Sequence, residues 1–155
     1  MTTLELGRVT DRKPPFKYSA ITRVGFSETD AQGVVYYGRY MPYFDLARVE
    51  YHRHLGQPFT GGREQQFAMR AMQIEYLAPA RFDDALEVFI RVKRIGRTSV
   101  TYEFAAYGIE GDILMARAMQ TGVLIDMDSR TPMPIPDSYR LPVLAFEGAD
   151  CENAP

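Results

Sequence analysis

The chain has 155 residues, 46% of them hydrophobic and 25% charged, with a formal net charge of -2. That length and balance suit one domain with an ordinary buried core, and the weak net charge gives no nucleic-acid signal. A single cysteine, Cys151, excludes a disulfide within the chain. No stretch is apolar for long enough to cross a bilayer as a helix. Met1 to Pro15 lack the apolar block of a secretory signal, so a cytoplasmic protein without membrane or nucleic-acid partners is expected.

Residues 1–16 are polar and end in Lys13-Pro14-Pro15-Phe16, which predicts an irregular lead-in. From Tyr18 the pattern alternates. Tyr18, Ala20, Thr22, Val24 and Phe26 share one face, opposite Ser19, Arg23 and Gly25, as in a half-buried strand. After a polar turn, residues 39–55 read as a helix. Tyr40, Phe44, Ala47, Tyr51 and Leu55 recur at three- and four-residue spacing, with Tyr43 and Leu46 widening the stripe. Asp45, Arg48, His52 and Arg53 fall outside it. Pro42 is tolerated only in the first turn, so the helix begins near Arg39; Gly56 and Pro58 end it.

Gln57 to Gln66 holds Pro58, Gly61 and Gly62 and reads as a loop. Four strands then follow. Ala68, Met72, Ile74 and Tyr76 alternate, as do Leu86, Val88, Ile90 and Val92, then Val100, Tyr102, Phe104 and Ala106; Ile113 to Met127 is longer and less regular. Pro79–Asp84, Gly96-Arg97 and Glu110-Gly111-Asp112 supply the turns. Arg130 to Pro155 holds five of the ten prolines and no period, so it reads as a tail or surface strap. The expected division is a lead-in over 1–16, one domain over 17–129 and a proline-rich tail over 130–155. Strand, helix and four antiparallel strands make an α+β fold in which one sheet wraps one long helix.

The stretch Ser27-Glu28-Thr29-Asp30-Ala31-Gln32-Gly33-Val34-Val35-Tyr36-Tyr37 lies between the first strand and the helix. Aspartates in such turns usually cap them. Here the carboxylate of Asp30 also stands near the unpaired N–H groups of a helix start, a place suited to developing negative charge. An acid beside such a cradle is a candidate hydrolytic centre. His52 and His54, two apart on a helix, face different ways and read as solvated rather than as metal ligands. Glu28 reads as an exposed turn charge. Glu50 with Arg48 or Arg53 reads as a helix ion network.

Phe26 to Gly56 carries Asp-x-x-Gly-Val-Val-Tyr from Asp30, then Tyr40, Ala47-Arg48-x-Glu50 and Leu55-Gly56. It resembles the hotdog-fold thioesterases, above all the 4-hydroxybenzoyl-CoA thioesterase and Tol–Pal-associated acyl-CoA thioesterase groups. The similarity runs from about Tyr18 to Met127. It implies a curved antiparallel sheet gripping the helix, a homodimer joined sheet edge to edge, pairing of dimers into a homotetramer, and active sites at the dimer interface. It further implies an acyl-CoA substrate, with Asp30 as nucleophile or general base and the Tyr37 backbone N–H as oxyanion donor. Members of the Tol–Pal-associated group usually have histidine where this chain has Tyr37, whereas the hydroxybenzoyl enzyme has tyrosine. The substitution keeps the backbone donor and tilts the reading toward aromatic acyl groups.

Thiolate is a good leaving group, so this chemistry needs no metal and no cofactor beyond the coenzyme A of the substrate. Gly33 and Val34 are candidates for binding the substrate; Tyr36, Tyr37, Phe59, Phe67 and Met69 are candidates for the acyl pocket, though aromatic residues in such a sheet are more often core. Arg91, Lys93, Arg94 and Arg97 cluster at one strand end; Arg94 and Arg97, with Thr98 and Ser99, are the candidates for the coenzyme A phosphates. Two rival readings share the fold: a thioesterase acting on acyl groups tethered to a carrier protein, and a non-catalytic acyl-CoA binder in which Asp30 is structural.

Overall fold

The alternating segments form one mixed-length antiparallel sheet. A computed structural model describes residues 4–57 and 65–155. Its strands are β1 (Gly7–Val9), β2 (Tyr18–Arg23), β3 (Gln65–Tyr76), β4 (Ala85–Ile95), β5 (Ser99–Gly108), β6 (Ile113–Asp126) and β7 (Glu152–Asn153). Their order is β1-β2-β4-β5-β6-β3, with every neighbour antiparallel; β7 adds in parallel to the end of β4. Helix α1 (Tyr40–His54) packs against β2 and β4. No helix among the described residues is long and apolar enough to cross a membrane.

The helix forms where its stripe predicts, because both partners gain by it. Tyr40, Tyr43, Phe44, Ala47 and Tyr51 are buried against Leu86, Val88, Ile90 and Val92 of β4 and against Val100, Phe104 and Ala106 of β5. Burying such side chains contributes about 1.5–3 kcal/mol each. Ala47, Ala106 and Ala116, all fully buried, let helix and sheet approach closely. Pro42 sits in the first turn of α1, where its missing N–H is no loss. Gly56 follows the helix at φ +71°, a backbone angle that only glycine adopts cheaply.

Four local expectations differ. First, the lead-in is not wholly irregular: β1 pairs with β2, and the Leu6 N–H donates to Glu50 Oε2 at 2.9 Å. Glu50 is therefore buried as well as ion-paired with Arg53. Second, Phe26 lies outside the core, 79% exposed, because β2 ends at Arg23 and the chain enters a single 3-10 turn over Phe26–Glu28. Third, Glu28 is half-buried and accepts the Tyr43 hydroxyl proton at 2.9 Å. Fourth, the proline-rich stretch holds helix α2 (Asp137–Glu147) and β7.

Helix α2 forms despite Pro142 in its interior, and the reason is local. Pro142 has no N–H for the Ser138 carbonyl one turn back. The side-chain amide of Gln57 fills that role, donating from Nε2 to Ser138 O at 3.1 Å and to Tyr139 O at 2.8 Å. Val143 is fully buried. Arg140 donates to Gly96 O at 2.8 Å and to Asn153 Oδ1 at 2.6 Å. Glu147 Oε2 accepts from the Tyr51 hydroxyl at 2.6 Å and the Val92 N–H at 3.0 Å. The helix thus lies as a plate over the C-terminal end of α1 and the far end of β4.

Candidate active site

The turn after β2 is a closed hydrogen-bonded unit. Gly33 N–H donates to Asp30 O at 3.0 Å, and Asp30 N–H donates to Val34 O at 2.9 Å. Gly33 takes φ +78°, which is why glycine stands there. Tyr36 N–H reaches back to Glu28 O at 2.9 Å, and Val35 N–H ties the unit to Ala80 O at 2.8 Å. Single bridges pair Thr29 with Val35 and Val34 with Arg81. The turn is therefore sewn to the loop that precedes β4.

Within this unit Asp30 does what turn aspartates do: its Oδ1 accepts the Gln32 N–H at 2.8 Å. Its Oδ2 takes no hydrogen bond among the described residues, and the side chain is only half-buried. Four residues after Gly33, Tyr37–Arg39 form a 3-10 turn that runs straight into α1. Neither start has a side-chain cap, and no acidic residue occupies the first turn of either. The first N–H groups of a helix have no intrahelical acceptor, so this start offers bare donors with the positive end of the helix dipole behind them. Tyr36 and Tyr37 are both exposed, with ring centroids 4.4 Å apart. The Tyr76 hydroxyl donates to Tyr37 O at 2.9 Å, pinning the end of β3 to this start.

The other site candidates are elsewhere. Arg94, Arg97, Thr98 and Ser99 occupy the far end of β4 and the turn into β5. The Asp30 turn adjoins the near end, so a strand of eleven residues, about 35 Å, separates the two groups within one chain. Arg94 is engaged by Glu152 at 3.4 Å, whereas Arg97 is exposed. One chain therefore does not bring the basic candidates to Asp30. Phe59 lies outside the described residues. Phe67 and Met69 also lie at the far end, at the start of β3, where Phe67 meets the Tyr139 ring at 5.4 Å.

Sequence reasoning missed a polar cluster at that far end. His52 is 1% exposed rather than solvated, because α2 covers its side of α1. Its Nδ1 meets Gln57 Oε1 at 2.8 Å and its Nε2 meets the Tyr102 hydroxyl at 2.6 Å. Tyr102 and Tyr139 hydroxyls lie 2.6 Å apart. Burial pushes the His52 imidazole down to about 4 and the Tyr102 phenol up to about 12. Tyr102 falls in an alternating strand, but no periodicity marks His52 or Tyr139 as its partners, since the element that covers the cluster is the one read as a tail.

Fold and site together define a class. The model of the thioesterase superfamily matches residues 32–115, more than half of the chain. The chain belongs to that superfamily and has its hotdog fold, a thioester-hydrolase scaffold. An Escherichia coli protein named acyl-CoA thioester hydrolase YbgC is 33% identical over 118 residues, covering 75% of this chain and 87% of that protein. A crystal structure from Aquifex aeolicus superposes with a TM-score of 0.74 at 28% identity, covering 81% of this chain and 98% of the other. A 1,4-dihydroxy-2-naphthoyl-CoA thioesterase from Synechocystis matches with a TM-score of 0.76 over 81% of this chain and 93% of its own. At 20% identity it bears on the fold alone.

Proposed function

We propose that the protein hydrolyses acyl-CoA thioesters, with Asp30 opposing a carbonyl whose oxygen is held by the Tyr37 N–H. The observation that carries this reading is the pairing of an unengaged Asp30 Oδ2 with an uncapped helix start a few residues on. Two routes fit the pair. Asp30 takes a proton from water as the hydroxide adds to the carbonyl carbon, or its carboxylate adds directly and water then opens the anhydride. In both, negative charge builds on the carbonyl oxygen, where bare N–H donors and the helix dipole stabilise it. The C–S bond then breaks and coenzyme A leaves as thiolate. The name of the Escherichia coli relative supports coenzyme A as the carrier of the acyl group.

A homodimer completes this reading. Strand β3 has twelve residues and, among the described residues, a neighbour, β6, on one side only. An edge that long is a ready template for a second strand. Pairing β3 with its own copy about a two-fold axis is antiparallel, so the start of each strand faces the end of the other. Arg97, Thr98 and Ser99 then approach the Asp30 turn of the partner subunit, which accounts for the separation within one chain.

The test is thiol release from a panel of acyl-CoAs by the wild type and by Asp30→Asn. Loss of about a thousandfold in turnover, with acyl-CoA binding retained, is expected. Undiminished turnover by a folded Asp30→Asn protein would remove Asp30 from the chemistry.

A further inference from the structure

The C-terminal half of α1, the first residues of β3, Tyr102 of β5, the second half of β6, and α2 with its approach line an open-sided cavity of about 880 Å³. That is the size of a small-molecule site, not of a packing defect. Phe67, Met69 and Leu124 are its apolar lining, Asp45, Arg48 and Gln120 add polar groups, and His52, Tyr102 and Tyr139 form a hydrogen-bonded cluster in its wall.

The hydrogen bonds of that cluster have a direction. Gln57 Nε2 faces two carbonyl oxygens, those of Ser138 and Tyr139, so Gln57 Oε1 faces His52 Nδ1 and must accept from it. A proton on Nδ1 leaves Nε2 of the neutral ring as an acceptor. Tyr102 donates to Nε2 at 2.6 Å; the Tyr139 hydroxyl, a longer 3.3 Å from Nε2, donates instead to the Tyr102 oxygen at 2.6 Å. Both hydroxyl protons are thereby used. The chain ends in the Tyr139 oxygen, which can accept but has no proton left to give.

The cavity cannot serve the Asp30 of its own chain. Gln66–Met69 line it, while the Asp30 and Tyr37 turn is fastened to Tyr76, about 25 Å further along β3. Antiparallel β3 pairing reverses this: the start of one β3 lies beside the end of the other, and with it the Tyr37 helix start of the partner subunit. The two-fold axis leaves both helices on one face of the joined sheet.

We propose that this cavity receives the acyl group of a thioester held at Asp30 of the partner subunit, and that Tyr139 selects acyl groups bearing a hydroxyl at the end remote from the thioester. The proposal rests on the hydrolase and dimer reading above. A distal hydroxyl donates to the waiting Tyr139 oxygen; an acyl group ending in hydrogen or methyl leaves that oxygen desolvated and unmatched. Tyr139, Ser138 and Pro136 come from α2 and its approach, beyond the residues that the family model matches, so this recognition belongs to this chain's own C-terminal segment.

The experiment measures kcat/KM on two matched pairs: para-hydroxybenzoyl-CoA against benzoyl-CoA, and omega-hydroxyoctanoyl-CoA against octanoyl-CoA. The wild type is expected to prefer the hydroxylated member of at least one pair by about tenfold or more, and the pair that responds tells aryl from chain. Tyr139→Phe is expected to erase that preference. Because the readout is a ratio within one preparation, a change in folded fraction does not enter it. Equal rates within both pairs, from a wild type that hydrolyses them, overturn the proposal and leave the hydrolase reading standing. A hydroxyl preference that survives Tyr139→Phe overturns the role of Tyr139. Failure to release thiol from any acyl-CoA overturns the hydrolase reading, and this one with it.

Discussion

Asp30 and His52 sit near opposite ends of the same helix and show how context sets the role of a polar residue. Asp30 is held by one oxygen and open at the other, in a half-buried turn that leads into an uncapped helix start. His52 is sealed, and its folded state binds a proton less readily than the unfolded chain. Its ordinary value of 6.5 falls to about 4, so between those values the unfolded state holds more protons and stability rises with pH. The contribution is complete above about 6.5 and is lost as pH falls toward 4; the size implied is about 3 kcal/mol. His52→Gln is expected to flatten this part of the stability profile. Urea unfolding of both proteins at a series of pH values across the window checks it; identical slopes would mean that His52 is not desolvated. The key turn was legible in the sequence because its signals are local: an aspartate, a glycine three residues on, a strand before and a helix after. The fate of His52 was not, because it depends on a segment some eighty residues away.

At the scale of elements, α2 is the segment whose form the sequence concealed. Its prolines read as a break, and Pro142 does delete a helical hydrogen bond; Gln57, from the end of α1, restores it from outside. That arrangement predicts a coupling. Gln57→Ala is expected to cost about 2 kcal/mol, since it removes the donor to the Ser138 and Tyr139 carbonyls and the acceptor of the buried His52 N–H. In a Pro142→Ala background, where residue 142 can donate to Ser138, the same change is expected to cost about 1 kcal/mol less. A double-mutant cycle by denaturant unfolding measures this, and additive effects would show that Gln57 does not stand in for the missing N–H. The four long strands β3 to β6, by contrast, were readable almost to their ends. Leu86, Val88, Ile90 and Val92 alternate without a break, and a period of two has only one structural meaning when one face must be buried.

For the whole molecule, the open side of β3 governs the outcome. Full overlap of twelve residues with a second copy places the two-fold axis between Arg70 and Ala71, so each Ala71 lies opposite the partner's Arg70. Ala71→Arg sets like charges face to face with the partner's Arg70 and is expected to break the dimer. Sedimentation should then report a species of 17.7 kDa in place of one about twice as heavy. In the proposed dimer each site draws on both subunits, so turnover should fall in parallel; an active monomer would contradict the shared site. Taken alone, the sequence determined what local periodicity and turn chemistry can determine: one long helix, an antiparallel sheet to cover it, and the Asp30 turn at their junction. Only the tertiary structure decided which polar side chains are buried, that a proline-rich end folds into a lid over the helix, and that the basic residues stand a strand's length from Asp30. Those are matters of distance between segments remote in sequence, and no local period encodes them.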